Sequence, residues 1–443
     1  MKKRNTEDIV MQAFVSVLLT LFTTLATFFG IFIMPAAPKD IEDDFVPVMR
    51  FVAASDTHVI TLGDTGCRRI TKMMKQAYAL AEQDADYNTV DAVVVAGDLT
   101  DDGTMFAYAA YAKTFESVLR DETQLLSLAA VDSHDGNTYS KADSLGMFTQ
   151  VTGQEPDYHT VIGGFHFIVV SACVDEDKHY TEEQIEWLDE QLSIAVADTP
   201  DKPVFVFQHE HITDTVFGSY TYEGWGVKYF TEVLNKYPQV VDISGHSHYP
   251  SNDPRSIWQG TFTAIGDCGL SYAEFSVDGV NSIHPDGCKT VAQALILEVD
   301  ADNRVLVKVL DITAGEILCT YLVDNVTDAV KTKYSHDERR AAANAPVFAD
   351  DAAITYKKGV INATVTVPQA TVEDGNEIYI YRIAVKNEAG ETLYAAWEFS
   401  EYYFADRPDS ISFKFSMPDG AAYAEVVAED VWGNQSEALT IAF

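Results

Sequence analysis

Five short apolar runs in this chain each stop at a side chain able to bind a metal ion. Phe51-Val52-Ala53-Ala54 runs into Ser55-Asp56-Thr57-His58, and Ala92-Val93-Val94-Val95-Ala96 stops at Gly97-Asp98. Leu125 to Ala130 ends in Val131-Asp132-Ser133-His134-Asp135, Pro203 to Phe207 in Gln208-His209, and Val240 to Ser244 in Gly245-His246-Ser247-His248. Apolar runs rich in β-branched residues read as buried strands, and helical periodicities between them indicate an α/β layer fold. In such folds ligands gather at the carboxyl ends of the strands. Unpaired charge and imidazole are expensive to bury, so several such groups at strand ends imply that something binds them. Carboxylate with imidazole and no thiolate suits Mn, Fe or Zn rather than Ca or Mg.

The intervening segments support this reading. Ile70, Met73, Met74, Ala77, Leu80 and Ala81 share one helical face, as do Tyr108, Tyr111, Phe115, Val118 and Leu119. Thr181 and Gln184 form a capping box ahead of Ile185, Leu188, Leu192 and Ala195. Leu295–Val299 and Val305–Leu310 predict a hairpin. Gly63-Asp64 repeats the Gly-Asp dipeptide without an apolar run before it and reads as a turn.

A formal net charge of −38 argues against docking to nucleic acid or to an anionic surface. An anionic substrate then needs local positive charge, and bound cations are one source. Five cysteines form no CxxC and no zinc-finger spacing, and read as buried thiols; Cys268 and Cys288 are the one pair considered for a disulfide.

Lys2, Lys3 and Arg4 precede an uncharged stretch from Ile9 to Pro38. Its centre, Val15 to Met34, matches a ~30 Å hydrocarbon core at roughly 1.5 Å per residue. Basic residues in front and Asp40, Glu42, Asp43 and Asp44 behind predict an N-inside, body-outside orientation. An uncleaved anchor and a cleaved signal, with Ala36-Ala37 near the cut, both place the body outside the cell: membrane-attached in one case, secreted in the other. The expected organisation is an anchor or signal (1–37), a linker (38–47), an α/β domain (48–327), a connector (328–345) and a β-sandwich (346–443). Short alternating strands with regular turns indicate the last of these. Its ending, Ala428-Glu429-Asp430-Val431-Trp432-Gly433-Asn434-Gln435-Ser436, resembles the final hairpin of bacterial fibronectin-type-III or Ig-like modules.

The ordered series Asp56-x-His58, Gly97-Asp98-x-x-Asp101, His134-Asp135, His209 and Gly245-His246-x-His248 resembles the calcineurin-like metallophosphoesterases over roughly residues 48 to 312. The resemblance implies a four-layer αββα sandwich with two divalent or trivalent metal ions at the strand ends. Asp56, His58 and His248 would hold one, His209 and His246 the other, and Asp98 would bridge both. Cations about 3.5–4 Å apart repel, which is why an anionic bridge is required. A shared water would lose a proton near neutral pH and become the nucleophile. His134 would protonate the leaving oxygen, with Asp101 orienting its imidazole and raising its pKa.

One departure matters. The family places Asn before the catalytic His, its amide oxygen binding the second metal; here that position is Ser133, preceded by Asp132 instead of Gly. A hydroxyl is a shorter, weaker ligand. The outcomes are a working site with a looser second metal, a site rescued by Asp132 or a water, or a lapsed binding protein.

The expected activity is hydrolysis of phosphomonoesters or phosphodiesters, on a small molecule or a cell-envelope substrate. The alternatives are a cell-surface binding protein that recognises a partner through its C-terminal sandwich, and a hydrolase of another ester class. Among the remaining histidines, His211 reads as a neighbour of the ligands or solvent-facing. His166, between two Phe residues, reads as a core residue. His159, His179, His284 and His336 have no evident partner. Trp225, Tyr220 and Tyr222, in a Gly-rich loop between His209 and His246, either line a substrate entrance or pack on the surface.

Overall fold

A computed structural model describes residues 44–175, 179–279, 281–373 and 375–443. The expected anchor or signal lies outside them. Among the described residues no helix is long and apolar enough to cross a membrane.

Two six-stranded mixed sheets stack face to face. Their strands are β1 (Pro47–Ala54), β2 (Ala92–Ala96), β3 (Gln124–Leu128), β4 (Asp157–Ile162), β5 (Phe165–Val170), β6 (Val204–Phe207), β7 (Val240–Ser244), β8 (Ile257–Gln259), β9 (Thr263–Gly266), β10 (Gln293–Asp300), β11 (Val305–Asp311) and β12 (Glu316–Val323). The first sheet runs β12-β11-β10-β1-β2-β3 and the second β8-β9-β7-β6-β5-β4. Within them β1-β2-β3 and β5-β6-β7-β9 are parallel. The predicted hairpin forms between β10 and β11.

Alternation along the strands decides what each layer touches. Phe51, Ala53, Val94, Phe167, Phe205 and Phe207 point between the sheets, where Phe51 meets Phe167 and Phe205 edge to face at 5.0 and 4.7 Å. Val52, Ala54, Val93 and Val95 point outward against α1 (Thr65–Ala81) and α2 (Met105–Val118). The second sheet is covered on its outer face by α4 (Glu182–Asp198) through Leu188, Leu192 and Ala195; α3 (Lys141–Thr152) packs beside α2. The result is the four-layer αββα arrangement. The Thr181–Gln184 capping box closes as expected. The Gly63-Asp64 turn does more than turn: Asp64 accepts from Cys67 N–H and caps α1.

Residues 363–442 form β-rich layers of their own around Val365, Tyr381, Phe413 and Val426. The stretch expected to be a connector packs against the α/β region. Its helix α5 (His336–Ala342) buries His336, whose ring bonds Ile257 O (2.9 Å) and Tyr220 Oη (2.7 Å). All five cysteines are free thiols, so the Cys268–Cys288 pairing does not form.

Candidate metal centre

Three of the parallel strands that lead to the site, β1, β2 and β7, deliver their ligands by breaking regular backbone just after their last residue. Asp56, His58, Asp98, His246 and His248 all have positive φ, between 44° and 71°. That region costs a non-glycine residue roughly 1 kcal/mol or more, and such residues persist only where the surroundings over-determine them. Gly97 (φ +87°) makes the approach between the two sheets possible: a Cβ there would collide with the His209 ring. Gly245 has a similar duty, since its Cβ would overlap Ser55 and the Asp56 carboxylate.

With His209, which follows β6 on ordinary backbone, these side chains form two triads with facing ligand atoms. Asp56, His58 and His248 make one, Asp98, His209 and His246 the other. His248 Nε2 lies 3.1 Å from Asp56 Oδ1, His209 Nε2 lies 3.4 Å from Asp98 Oδ2, and His246 Nδ1 lies 3.2 Å from His209 Nε2. His58 Nε2 faces both carboxylates, 3.8 Å from Asp56 and 3.9 Å from Asp98. Asp98 therefore stands between the triads.

Neighbouring groups fix each ring. His209 Nδ1–H donates to Ala96 O (2.9 Å), His248 Nδ1–H to Tyr272 O (3.1 Å) and His58 Nδ1–H to Asp101 (3.3 Å). In each case Nε2 is left as a lone-pair donor aimed into the site, the arrangement by which metal-binding imidazoles are held. Asp56 Oδ2 accepts from His246 N–H (3.1 Å) and from the Ser55 hydroxyl. Asp56 Oδ1 and His58 Nε2, both buried, have no hydrogen-bond partner. Buried polar atoms without partners are rare, and two of them converging on one point fit a cation. The residues present thus suit metal binding.

Electrostatics agree. Burial opposes a charge on His58, yet its bond to Asp101 and the facing Asp56 and Asp98 carboxylates push its pKa up to about 10. His209 is likewise raised against the cost of burial, chiefly by Asp98. The carboxylates create a potential that claims positive charge, as a proton or as a metal ion. Burial and the adjacent His209 charge push His246 down to about 4, so it stays a neutral ligand.

Ser133 Oγ donates to Asp98 Oδ2 (2.9 Å), and His134 N–H donates to Asp98 Oδ1 (3.0 Å). The Ser133 hydroxyl proton thus steadies Asp98. Asp132 turns away: its carboxylate meets His179 Nδ1 at 2.6 Å, and the same nitrogen lies 2.9 Å from Glu210. His134 stands at the rim with 37% of its side chain exposed, edge-on to His58 at 4.3 Å. Its Nδ1 lies 3.2 Å from Asp101 Oδ1, so one carboxylate orients both rings. Trp225 packs edge-on against His246 (5.2 Å), whereas Tyr220 turns inward to His336.

Residues 49–250 match the model of the calcineurin-like phosphoesterase family. Every candidate ligand falls within that matched region. No curated protein matches the chain. Among solved structures, purple acid phosphatase from yellow lupin (Lupinus luteus) seeds is 16% identical, with a TM-score of 0.43 over 66% of this chain and 57% of that one. This chain therefore spans little more than half of the lupin protein. A hypothetical protein from Pyrococcus horikoshii OT3 is 10% identical over 23% of this chain and 88% of its own, with a TM-score of 0.16. An endonuclease/exonuclease/phosphatase from Beutenbergia cavernae DSM 12333 is 11% identical over 89% and 99%, with a TM-score of 0.21.

Several residues around the site were given no role by the sequence. Asp135 is buried and accepts from Leu99 N–H, Thr100 N–H and Oγ, and Ala130 N–H, tying the loops after β2 and β3 together. Burial and the Asp98 charge push its pKa up to about 7. Its place beside His134 was a signal, but its direction was not. Tyr272 stacks on His248 at 4.2 Å. His211 is buried between the hydroxyls of Ser244 and Ser247 and faces neither solvent nor the ligand atoms. His166 bonds His159 (2.7 Å) and Asp198 (3.1 Å), and His284 bonds Glu274 (2.9 Å).

Proposed function

We propose that the chain is a metal-dependent phosphoester hydrolase, exported and held at the membrane by its N-terminal segment. The observation that carries this reading is the meeting of two ligand triads across Asp98, with a half-exposed His134 poised at their rim. Asp56, His58 and His248 would hold one cation, and Asp98, His209 and His246 the second. Bound there, two such ions would activate water and offset the charge of a phosphoryl group.

The chain's own residues do the rest. Asp98 is held by Ser133 and by the His134 amide, so its carboxylate cannot swing away. Asp101 fixes the His58 and His134 rings, and His134 donates the proton that the leaving oxygen needs. Asn137 Nδ2 lies 3.2 Å from His134 Nδ1 and donates to Asp101 O, bracing the same ring. Ser133 is the one feature that favours a binding protein instead, because its hydroxyl is a weaker metal ligand than an amide.

The test uses the purified full-length chain in detergent, with metal content measured alongside turnover of p-nitrophenyl phosphate and its bis-ester in added Mn²⁺ or Zn²⁺. Turnover of either ester with one to two ions bound per chain is expected. Fewer than one ion and no turnover of any phosphoester would sink the proposal.

A further inference from the structure

His246 and His248 begin a segment that does not return to the phosphoesterase core alone. It continues through Tyr249 to Ser256, and this stretch is gripped by side chains from the C-terminal region. Tyr402 Oη donates to Asp253 Oδ2 (2.6 Å), and Asn252 Nδ2 donates to Tyr402 O (3.1 Å). Asp253, fully buried, holds the Arg255 guanidinium through Nε (2.9 Å) and Nη2 (2.7 Å). That guanidinium lies over Phe217 at 3.6 Å and over Tyr379 at 4.6 Å. Phe217 packs in turn on Tyr249 at 4.2 Å, one residue beyond His248. A second route reaches the same ligand: Tyr379 Oη donates to Ser276 O, Phe275 packs on Phe399 and Tyr403, and Glu274 N–H donates to His248 O (2.9 Å).

These contacts share a buried aromatic cluster, with Tyr379, Phe399, Tyr402 and Tyr403 on one side and Phe217, Tyr249 and Phe275 on the other. Charge-assisted bonds to a buried carboxylate are strong and directional. A positive-φ ligand needs such over-determination. The phosphoesterase domain supplies only part of it for His248.

We propose that the C-terminal β region is a structural part of the metal centre, with Tyr402 and Tyr379 acting as positioning residues that hold the His246–Ser256 segment in its ligand-presenting conformation. This rests on the metal-binding reading of the site. It replaces the picture of a free recognition module tethered to an independent enzyme.

The test compares the full-length wild type with Tyr402→Phe, Tyr379→Phe and Val365→Ala. The last removes volume from the C-terminal core, where Val365 is fully buried, without touching the strut. Chelator competition should show the Tyr variants binding Mn²⁺ about tenfold more weakly, the scale on which groups behind metal ligands act. In the metal-free chain, amide exchange across 246–256 should rise by a similar factor. Val365→Ala should lower the melting temperature while leaving Mn²⁺ affinity and 246–256 exchange unchanged.

Wild-type affinity and exchange in both Tyr variants would overturn the proposal, and so would an equal loss in Val365→Ala. A wild-type chain that binds no metal would refute the functional reading instead, while metal-free exchange would still judge the strut. If Tyr402→Phe does not fold, Tyr379→Phe carries the comparison.

Discussion

Two clusters of carboxylate and imidazole lie close together in this molecule, and they are built on opposite rules. In the proposed metal centre the facing ligand atoms stand 3.1–3.9 Å apart. In the neighbouring cluster His179 Nδ1 sits 2.6 Å from Asp132 and 2.9 Å from Glu210. The shorter distances are those of charge-assisted hydrogen bonds, in which a proton already occupies the space between the groups. Around an ion with bonds of about 2.1 Å, ligand atoms must keep farther apart. The backbone makes the same distinction. Five of the residues of the first cluster have positive φ, whereas Asp132, His179 and Glu210 do not. Composition alone does not make a metal site; separation and strain do.

The hardest blow to this contrast should come from Asp98→Ala. It removes the carboxylate standing between the triads, and loss of bound metal with at least a thousandfold fall in turnover is expected. Near-normal metal content would show that Asp98 bridges nothing.

His134→Ala separates chemistry from binding within the first cluster. Turnover should fall by about 10²–10⁴ while metal content stays intact. A parallel loss of metal would make His134 a ligand and redraw the site.

His179→Ala probes the second cluster. Hydrogen bonds to Asp132 and then Glu210 push the His179 pKa up to about 10, from an ordinary value near 6.5. A raised histidine stabilises the fold fully below its unfolded value, and that contribution fades as pH climbs towards 10. The side chain is 47% exposed, which screens the effect. A loss of roughly 1–2 kcal/mol at pH 6, shrinking by pH 10, is expected in thermal unfolding, with metal stoichiometry unchanged. A missing metal in this variant would make the second cluster a metal site too.

Ser133→Asn sharpens the boundary between the clusters. Restoring an amide should tighten the second ion by only a few-fold in metal titration, since Asp98, His209 and His246 already face it. An unchanged titration would mean that the hydroxyl already does all that the position requires.

The sequence made the first cluster legible and hid the second, for a physical reason. Asp56, Asp98, His209 and His246 follow apolar runs, and a strand end is a local event readable from its own neighbours. The ring-orienting carbonyls of Ala96 and Tyr272 carry no side-chain signature at all. Asp132, His179 and Glu210 come from three elements whose meeting depends on how the sheets stack, and a polar residue before or after a ligand reads the same whether it turns in or out. The docking of His336 was hidden likewise, because a polar, Ala-rich stretch gives no sign that one of its rings is buried. The spacing of short strands beyond it was readable, but not the aromatic face those strands turn towards Asp253.

That aromatic face also sets an order in time. Ribosomes add roughly 5–20 residues per second, so Tyr402 follows His248 by on the order of 8–30 seconds. During that interval every candidate ligand has been made, but the tyrosine that pins Asp253 has not. The centre therefore matures only once Tyr402 has been made: a chain cut between His336 and Tyr402 would carry every histidine named above and still lack the grip that aims them.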